Sequence, residues 1–310
     1  MSSKLDRTTI ILILSLIVIP IVCIRFDEAL PAQQQETLLD LVKAMIAIGL
    51  VCFTTSRLTR NCSQVDKLWS ILPIGYCWFV AHRSGYDDRI VIMAAMVTIW
   101  GLRLSYNFYR RGGYHLIPWK GEEDYRWKVL RGKPEFQSKG AWFLFELFFI
   151  SLYQNSLILA LTLPALVAWQ GGRPLNLLDG IAVLLMLFFI VFETIADQQH
   201  YRFHEDKKSL KPGDPGFADT AKGFCTRGLW KYMRHPNYMA EQAIWISFYI
   251  FSVAGSGRPV NWSLMGAVLL VLLFRGSASF SESISSGKYP AYADYQKQAG
   301  LFLPKWFRKN

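Results

Sequence analysis

The sequence predicts an all-α fold, a polytopic membrane bundle of about eight transmembrane helices (seven to eight) with both termini cytoplasmic. Two observations carry that expectation. Apolar stretches long enough to cross a bilayer recur along the chain, and 52% of its 310 residues are hydrophobic. The basic residues are also lopsided. With eight crossings, 27 of the 34 Lys and Arg fall in the N-terminus, the even-numbered loops and the C-terminus, and 5 fall in the remaining loops. Cytoplasmic loops carry such an excess, which assigns the richer side to the cytoplasm. The formal net charge of +11 is therefore a signal of topology. It does not point to nucleic acid, because the basic residues are dispersed over interhelical loops without a nucleic-acid fold signature.

The expected spans cover about 8–24, 38–56, 68–82, 90–108, 141–169, 177–201, 238–254 and 261–280. The first is uniformly aliphatic and suits lipid contact. The third is short. The fifth is long enough to tilt or to break near Pro164. Residues 1–310 read as a single integral membrane domain, without an internal repeat, a low-complexity tract or a cleavable leader. The five cysteines, at 23, 52, 62, 77 and 225, have no paired spacing that would mark a disulfide framework or a zinc site.

Polar residues inside or beside these spans are the candidates for chemistry. Asp66 opens the third span, where it either caps the helix or touches a polar substrate group. The loop KGEEDYRWKVLRGK pairs Glu122 with Arg126 at helical spacing, as an interfacial helix would. In the fifth span, Glu146, Gln154 and Asn155 either join helices or contribute to a site. In the sixth, Glu193 and Asp197 lie four apart on one face. Two acids there can accept hydrogen bonds from ribose hydroxyls or a carboxamide, or they can pair with Arg202, Arg227 or Arg234. His200 and His204 have a metal-compatible spacing, but no third ligand is evident and no metal is expected. Lys222 and Arg227 follow a turn-rich KPGDPG loop and could meet a phosphate, which arginine matches with two N–H bonds. Tyr289, Tyr292 and Tyr295, behind Lys288, form an aromatic edge that suits a membrane interface or a cofactor.

The stretch Gly228–Glu241, GLWKYMRHPNYMAE, organises the rest. Pro236 suits the first turn of a helix. The unpaired N–H groups of that turn and the positive end of the helix dipole make an anion site, flanked by Arg234 and His235. Asn237 and Glu241 share a face beside Tyr238, and a carboxylate within an apolar helix needs a partner or a function. The string RHPNYxxE, with SQVDKLWSILP at 63–73, EEDYRW at 122–127, ADQQ at 196–199 and KYPAYADYQ at 288–296, resembles the DUF1295 family of membrane proteins. That family is related to steroid 5-alpha-reductases and, more distantly, to sterol reductases and isoprenylcysteine carboxyl methyltransferases. The resemblance covers about residues 60–305, a steroid-reductase-like region.

The resemblance implies an NADPH-dependent reductase that transfers hydride to a conjugated C=C bond of a steroid-like or other lipid enone. NADPH would be held by Glu193, Asp197, Arg227, Arg234, His235, Asn237, Tyr238, Glu241, Lys288, Tyr289 and Tyr292. In the similar reductases a carboxyl and a tyrosine polarise the substrate ketone. Asp66 matches the carboxyl, and Tyr106 is the tyrosine nearby. EDYRW is expected to cover or close the cofactor pocket. Two departures stand out: Glu193 replaces an Asn common in the steroid enzymes, and Ser281 stands where many relatives place a basic residue. No GxGxxG fingerprint accompanies these marks, so no Rossmann site is expected. The expected partners are the lipid bilayer and a hydrophobic small molecule, in a bacterial inner membrane or the endoplasmic reticulum, with the cofactor site facing the cytoplasm. Two other readings stay open. One is an S-adenosylmethionine-dependent lipid or isoprenylcysteine methyltransferase, whose relatives carry paired glutamates where this chain has only Glu282. The other is a non-catalytic lipid-binding protein of the same fold.

Overall fold

The computed structural model describes Val18 and residues 27–115, 117 and 121–305. The predicted span at 8–24 lies outside these residues, apart from Val18. The other seven predicted spans all fall on helices, and among the described residues there is no strand. In chain order the helices are α1 (Ala32–Thr59), α2 (Gln64–Leu68), α3 (Leu72–Arg83), α4 (Asp88–Arg110), α5 (Tyr125–Arg131), α6 (Lys139–Phe145), α7 (Gln154–Thr162) and α8 (Pro164–Gly171). They continue as α9 (Leu177–Ser209), α10 (Phe217–Ala221), α11 (Pro236–Ser256), α12 (Leu264–Lys288) and α13 (Tyr292–Gln298). A π-helical segment, Glu146–Tyr153, joins α6 to α7.

Five of these helical stretches are long and apolar enough to cross a membrane: α1, α4, the run Lys139–Gly171, α9 and α12. They mark the chain as a multi-pass membrane protein. The third predicted span shrinks to the 12 residues of α3, preceded by the short α2. α11 has 21 residues but carries Asn237, Glu241 and Gln242 in its first two turns, which lowers its apolar content. The long fifth span does break at its proline, where α7 ends at Thr162 and α8 begins at Pro164. The interfacial helix of the EEDYRW loop also forms, but only from Tyr125, with Asp124 as its N-cap. Glu122 therefore lies outside the helix and does not pair with Arg126 at helical spacing. Arg126 binds Asp124 instead, at 2.6 Å.

The contacts define two compact units, one running to Val183 and including Ile246–Leu270, the other formed by Leu184–Trp245 and Val271–Asn310. In the first, α4 turns Ile90, Met93, Ala94, Val97 and Trp100 inward, the stripe expected of a helix with one packed face. Ile99, Leu102 and Tyr106 stay exposed on its other side, as lipid-facing residues would. The same unit buries one ion pair: Arg89 donates to both Asp179 oxygens at 2.7 and 2.9 Å and to the carbonyls of Arg173 and Pro174. All three nitrogens of that guanidinium group then have an acceptor, which is what makes burying it tolerable. Small residues allow backbones to touch elsewhere in the unit. A Cβ on Gly255 would lie 2.6 Å from the Ala168 carbonyl oxygen, so α8 and this part of α11 meet at a contact only glycine fits. In the second unit, α9 presents Leu184, Phe188, Val191 and Ile195 outward at helical spacing.

The glycine contact gives a stability test. Gly255→Val should destabilise the protein by about 1–3 kcal/mol, the usual cost of overpacking. Gly75→Ala should leave the unfolding midpoint unchanged or slightly higher, because nothing lies within 4 Å of its added Cβ. Thermal unfolding of the two variants in one detergent compares them directly.

Candidate functional site

The second unit gathers most of the predicted cofactor residues. Three helix ends meet in it: the C-terminal part of α9, the start of α11 and the end of α12. Pro236 is the first residue of α11, as its fixed φ favours. Just upstream, Gly228 has φ +56°, and a Cβ there would come within 2.4 Å of the Gln199 amide. Gln199 in turn accepts from the Leu229 N–H at 2.9 Å, and the Trp230 indole donates to the Ala196 carbonyl at 3.0 Å. The ADQQ segment thus fixes the chain leading into RHPN. His200 stacks on Trp230, with ring centroids 4.6 Å apart.

Asp197 and Glu193 are buried, and Asp197 accepts from the Asn237 amide N–H at 3.4 Å. The Asn237 carbonyl oxygen is buried and has no hydrogen-bond partner among the described residues. Glu241, one turn further along α11, is buried and accepts from the Trp245 indole at 3.1 Å. Tyr238 stacks on His235 at 5.1 Å and meets Phe274 edge-on at 4.6 Å. The structure therefore brings Asp197, Asn237, His235 and Tyr238 together.

Arg234 and Arg227 are placed differently from the phosphate-gripping expectation. Arg234 binds Glu282 through two nitrogens, at 2.5 and 3.2 Å. Its third nitrogen donates to the carbonyls of Gln296 and Ala299. His235 lies 3.2 Å from the same Glu282 carboxylate, and the Gln296 amide donates to it at 3.0 Å. Backbone bonds Arg234 N–H to Gly300 and Gly300 N–H to Tyr232 complete a parallel bridge between Met233 and Gly300. Arg227 holds its own loop, pairing with Asp206 at 2.8 Å and Asp219 at 3.4 Å. Lys222 also binds Asp219. Neither arginine pairs with Glu193 or Asp197, so the alternative that those acids tie to Arg227 or Arg234 does not hold.

The C-terminal aromatic edge divides in two. Tyr292 and Tyr295 are buried around Phe224, and the Tyr295 hydroxyl donates to the Trp230 carbonyl. Tyr289 is half-buried, and its hydroxyl receives a hydrogen bond from Lys207 at 3.2 Å. The ammonium groups of Lys207 and Lys288 lie 5.2 and 5.4 Å from its ring centroid. Partial burial pushes the phenol up, but hydrogen bonds and charge from Lys207 and Lys288 outweigh it and hold the phenol below its ordinary value. Lys207 is a residue that sequence reasoning missed. It stands 82 positions from Tyr289 in a run of surface charges, and no local signal singles it out.

In the first unit, SQVDKLW and EEDYRW dock on each other. Asn61 donates to the Gly121 carbonyl at 2.8 Å, Cys62 N–H to Glu123 at 2.7 Å, and Asp124 N–H to the Ser63 hydroxyl at 3.0 Å. Arg131 clamps Glu123 at 2.6 Å and contacts the Cys62 sulfur at 3.1 Å. Glu146, at the start of the π-helical segment, is buried against Arg57 and Cys62. Burial, and then the Glu146 charge, push the Cys62 thiol up to about 12, so it is neutral. Asp66 sits inside α2 and is not its cap; Ser63 holds the N-cap position. Burial raises the Asp66 carboxyl above its ordinary value, favouring the protonated acid. Tyr106 points outward, 64% exposed, under the Arg110 guanidinium. The tyrosine that reaches the segment is Tyr114, whose hydroxyl donates to the Lys67 carbonyl at 2.8 Å. Two open grooves, of about 610 and 560 Å3, also lie in this unit, and neither is lined by a predicted site residue.

Glu282 offers a clear test of this arrangement. Glu282→Ala should destabilise the protein by about 3–5 kcal/mol, since it leaves the Arg234 charge buried and uncompensated. Adding Arg234→Ala should recover part of that loss. Thermal unfolding of the two single variants and the double variant measures the coupling.

Comparison with known proteins gives two findings. The family described as "Protein of unknown function (DUF1295)" matches residues 52–299. An uncharacterized protein of Schizosaccharomyces pombe is 37% identical over 271 residues, which cover 83% of this chain and 77% of the yeast protein. No solved structure matches the chain.

Proposed function

The chain belongs to the DUF1295 family, and on that premise we propose that it is an NADPH-dependent membrane reductase acting on a conjugated C=C bond of a steroid-like or other lipid enone. The observation that carries this reading is the meeting of Asp197 and Asn237 in the second unit, with the Asn237 carbonyl oxygen buried and unpartnered. A buried acceptor of this kind costs stability unless a ligand donor satisfies it. An N–H of a carboxamide, or a ribose hydroxyl, fits it, with Asp197 beside it as a second acceptor. The basic groups suited to the phosphates are Lys207 and Lys288, which flank Tyr289, because Arg227 and Arg234 are committed to carboxylates.

When bound, NADPH supplies a hydride. A protein acid that donates a hydrogen bond to the substrate oxygen on which negative charge grows lowers the barrier to addition at the β-carbon. The electron pair of the C=C bond moves toward that oxygen, and a proton reaches the α-carbon afterwards. Arg234, His235 and Glu282 position the start of α11 and do not touch the reacting atoms. Both termini and the nucleotide-binding end face the cytoplasm in this reading, in keeping with the basic bias of those loops.

Protein reconstituted in lipid nanodiscs should consume NADPH only when an enone lipid is present. Asn237→Ala should lower kcat/KM about tenfold, the scale of one lost hydrogen bond. S-adenosylmethionine should give no thermal shift where NADPH gives one. Absence of NADPH binding, with no turnover across sterol, steroid and enoyl substrates, would rule the reading out.

A further inference from the structure

The larger groove of the first unit, of about 610 Å3, lies between two segments. Arg173, Asn176 and Leu178 line it from the start of α9 and the residues before it, and Val253, Gly257 and Pro259 from the end of α11 and the residues after it. Its walls are fixed. The buried Arg89 donates to the carbonyls of Arg173 and Pro174 at 2.7 and 2.8 Å. The Asn176 amide donates to the Ala254 carbonyl at 3.1 Å, which ties the two segments together, and its oxygen accepts from the Leu178 N–H at 3.0 Å. Gly257 closes α11 at φ +72°, with its N–H on the Val253 carbonyl. A Cβ there would come within 2.1 Å of the Arg173 guanidinium group, so that side chain lies directly over the bare glycine.

The Arg173 guanidinium group has no hydrogen-bond or ion-pair partner among the described residues, and none of the described residues lining the groove is acidic. Its place along the membrane follows from α9. That helix has 33 residues, more than the about 20 that cross a bilayer, and its exposed charged residues gather at the far end, from Arg202 to Lys208. The apolar start of α9 therefore reaches a membrane edge. Leu175, Leu177 and Val260, chain neighbours of the groove residues, are exposed there as lipid-facing side chains would be. A groove that is apolar apart from one cation and an engaged amide, at the depth of lipid headgroups, complements a lipid phosphate in charge and in hydrogen bonding. A zwitterionic headgroup would bring an ammonium group as well, and the lining offers no carboxylate to receive it.

We propose that this groove binds the phosphate of an acidic phospholipid, with the Arg173 guanidinium group as the donor and the acyl chains against the exposed apolar residues at its rim. Gly257 gives the guanidinium group its seat, and the bonds of Arg89 and Asn176 set the walls before the lipid arrives, so little ordering remains to be done on binding. The groove uses no residue of the proposed cofactor site and stands whether or not the protein reduces anything.

The full chain in a non-ionic detergent is labelled with a phosphatidylglycerol that carries a diazirine in its headgroup, and the labelled peptides are mapped. Labelling is expected on residues 173–178 or 253–260. Unlabelled phosphatidylglycerol should compete at least about tenfold better than phosphatidylcholine, oleate or inorganic phosphate. Arg173→Gln should weaken the labelling of these segments by about tenfold, the scale of one lost charged hydrogen bond. Lys211→Gln, an exposed basic residue after α9, should leave it unchanged. A second readout covers folding: Arg173→Gln should keep the unfolding midpoint in lipid-free detergent, because the exposed side chain has no partner to lose. Labelling confined to other segments, equal competition by phosphatidylcholine, or an equal loss in Lys211→Gln would overturn the proposal and leave Arg173 as a general surface charge. A lowered midpoint of Arg173→Gln would overturn it by assigning the guanidinium group to the fold. Oleate or inorganic phosphate competing as well as phosphatidylglycerol would overturn it in favour of a carboxylate or a soluble anion.

Discussion

The Glu282 carboxylate is the constraint on which the second unit depends. It sits near the end of a long apolar helix, where a lone charge is not tolerated, and it receives Arg234, His235 and Gln296 together. One anion thereby joins the end of α12, the entrance to α11 and the terminal helix α13. The same guanidinium group that neutralises Glu282 also takes the carbonyls of Gln296 and Ala299, so the chain after α13 has a fixed return path. Asn237, three residues beyond Arg234, faces Asp197 because this clamp sets where α11 begins.

The division of labour among basic residues follows from their chemistry. A planar guanidinium group with five donors can serve a carboxylate and several carbonyls at once, and Arg89 and Arg234 both do so. Lysine has a compact charge on a flexible stem, and Lys207 and Lys288 keep theirs at the aromatic face of Tyr289. Arg227 and Arg234, which the sequence offers as cofactor-binding residues, are bonded to carboxylates, and Lys207 and Lys288 lie beside Tyr289.

The first unit shows the same rule from the other side. Around Cys62, the charges of Glu123, Arg131, Glu146 and Arg57 are matched within one cluster, which closes the EEDYRW segment over the SQVDKLW loop. A few helical turns away, Tyr76 and Asn155 are buried with part of their hydrogen-bonding capacity unused.

The sequence by itself determined the helical, membrane-bound character of the chain, since hydropathy over some twenty residues and the sidedness of basic loops are local or additive properties. It also located the important stretch, because a proline-started helix behind Arg234 and His235 is written in consecutive residues. It marked Glu193 and Asp197 as neighbours on one face through their spacing alone. Only the tertiary structure decided who pairs with whom. Glu282 meets Arg234 across 48 positions, Tyr114 meets Lys67 across 47, and Lys207 meets Tyr289 across 82. Those partnerships depend on how separate helices approach and on which charges must be neutralised there. No periodicity along the chain encodes that, so a residue's type suggested its chemistry while its neighbours in space decided its use.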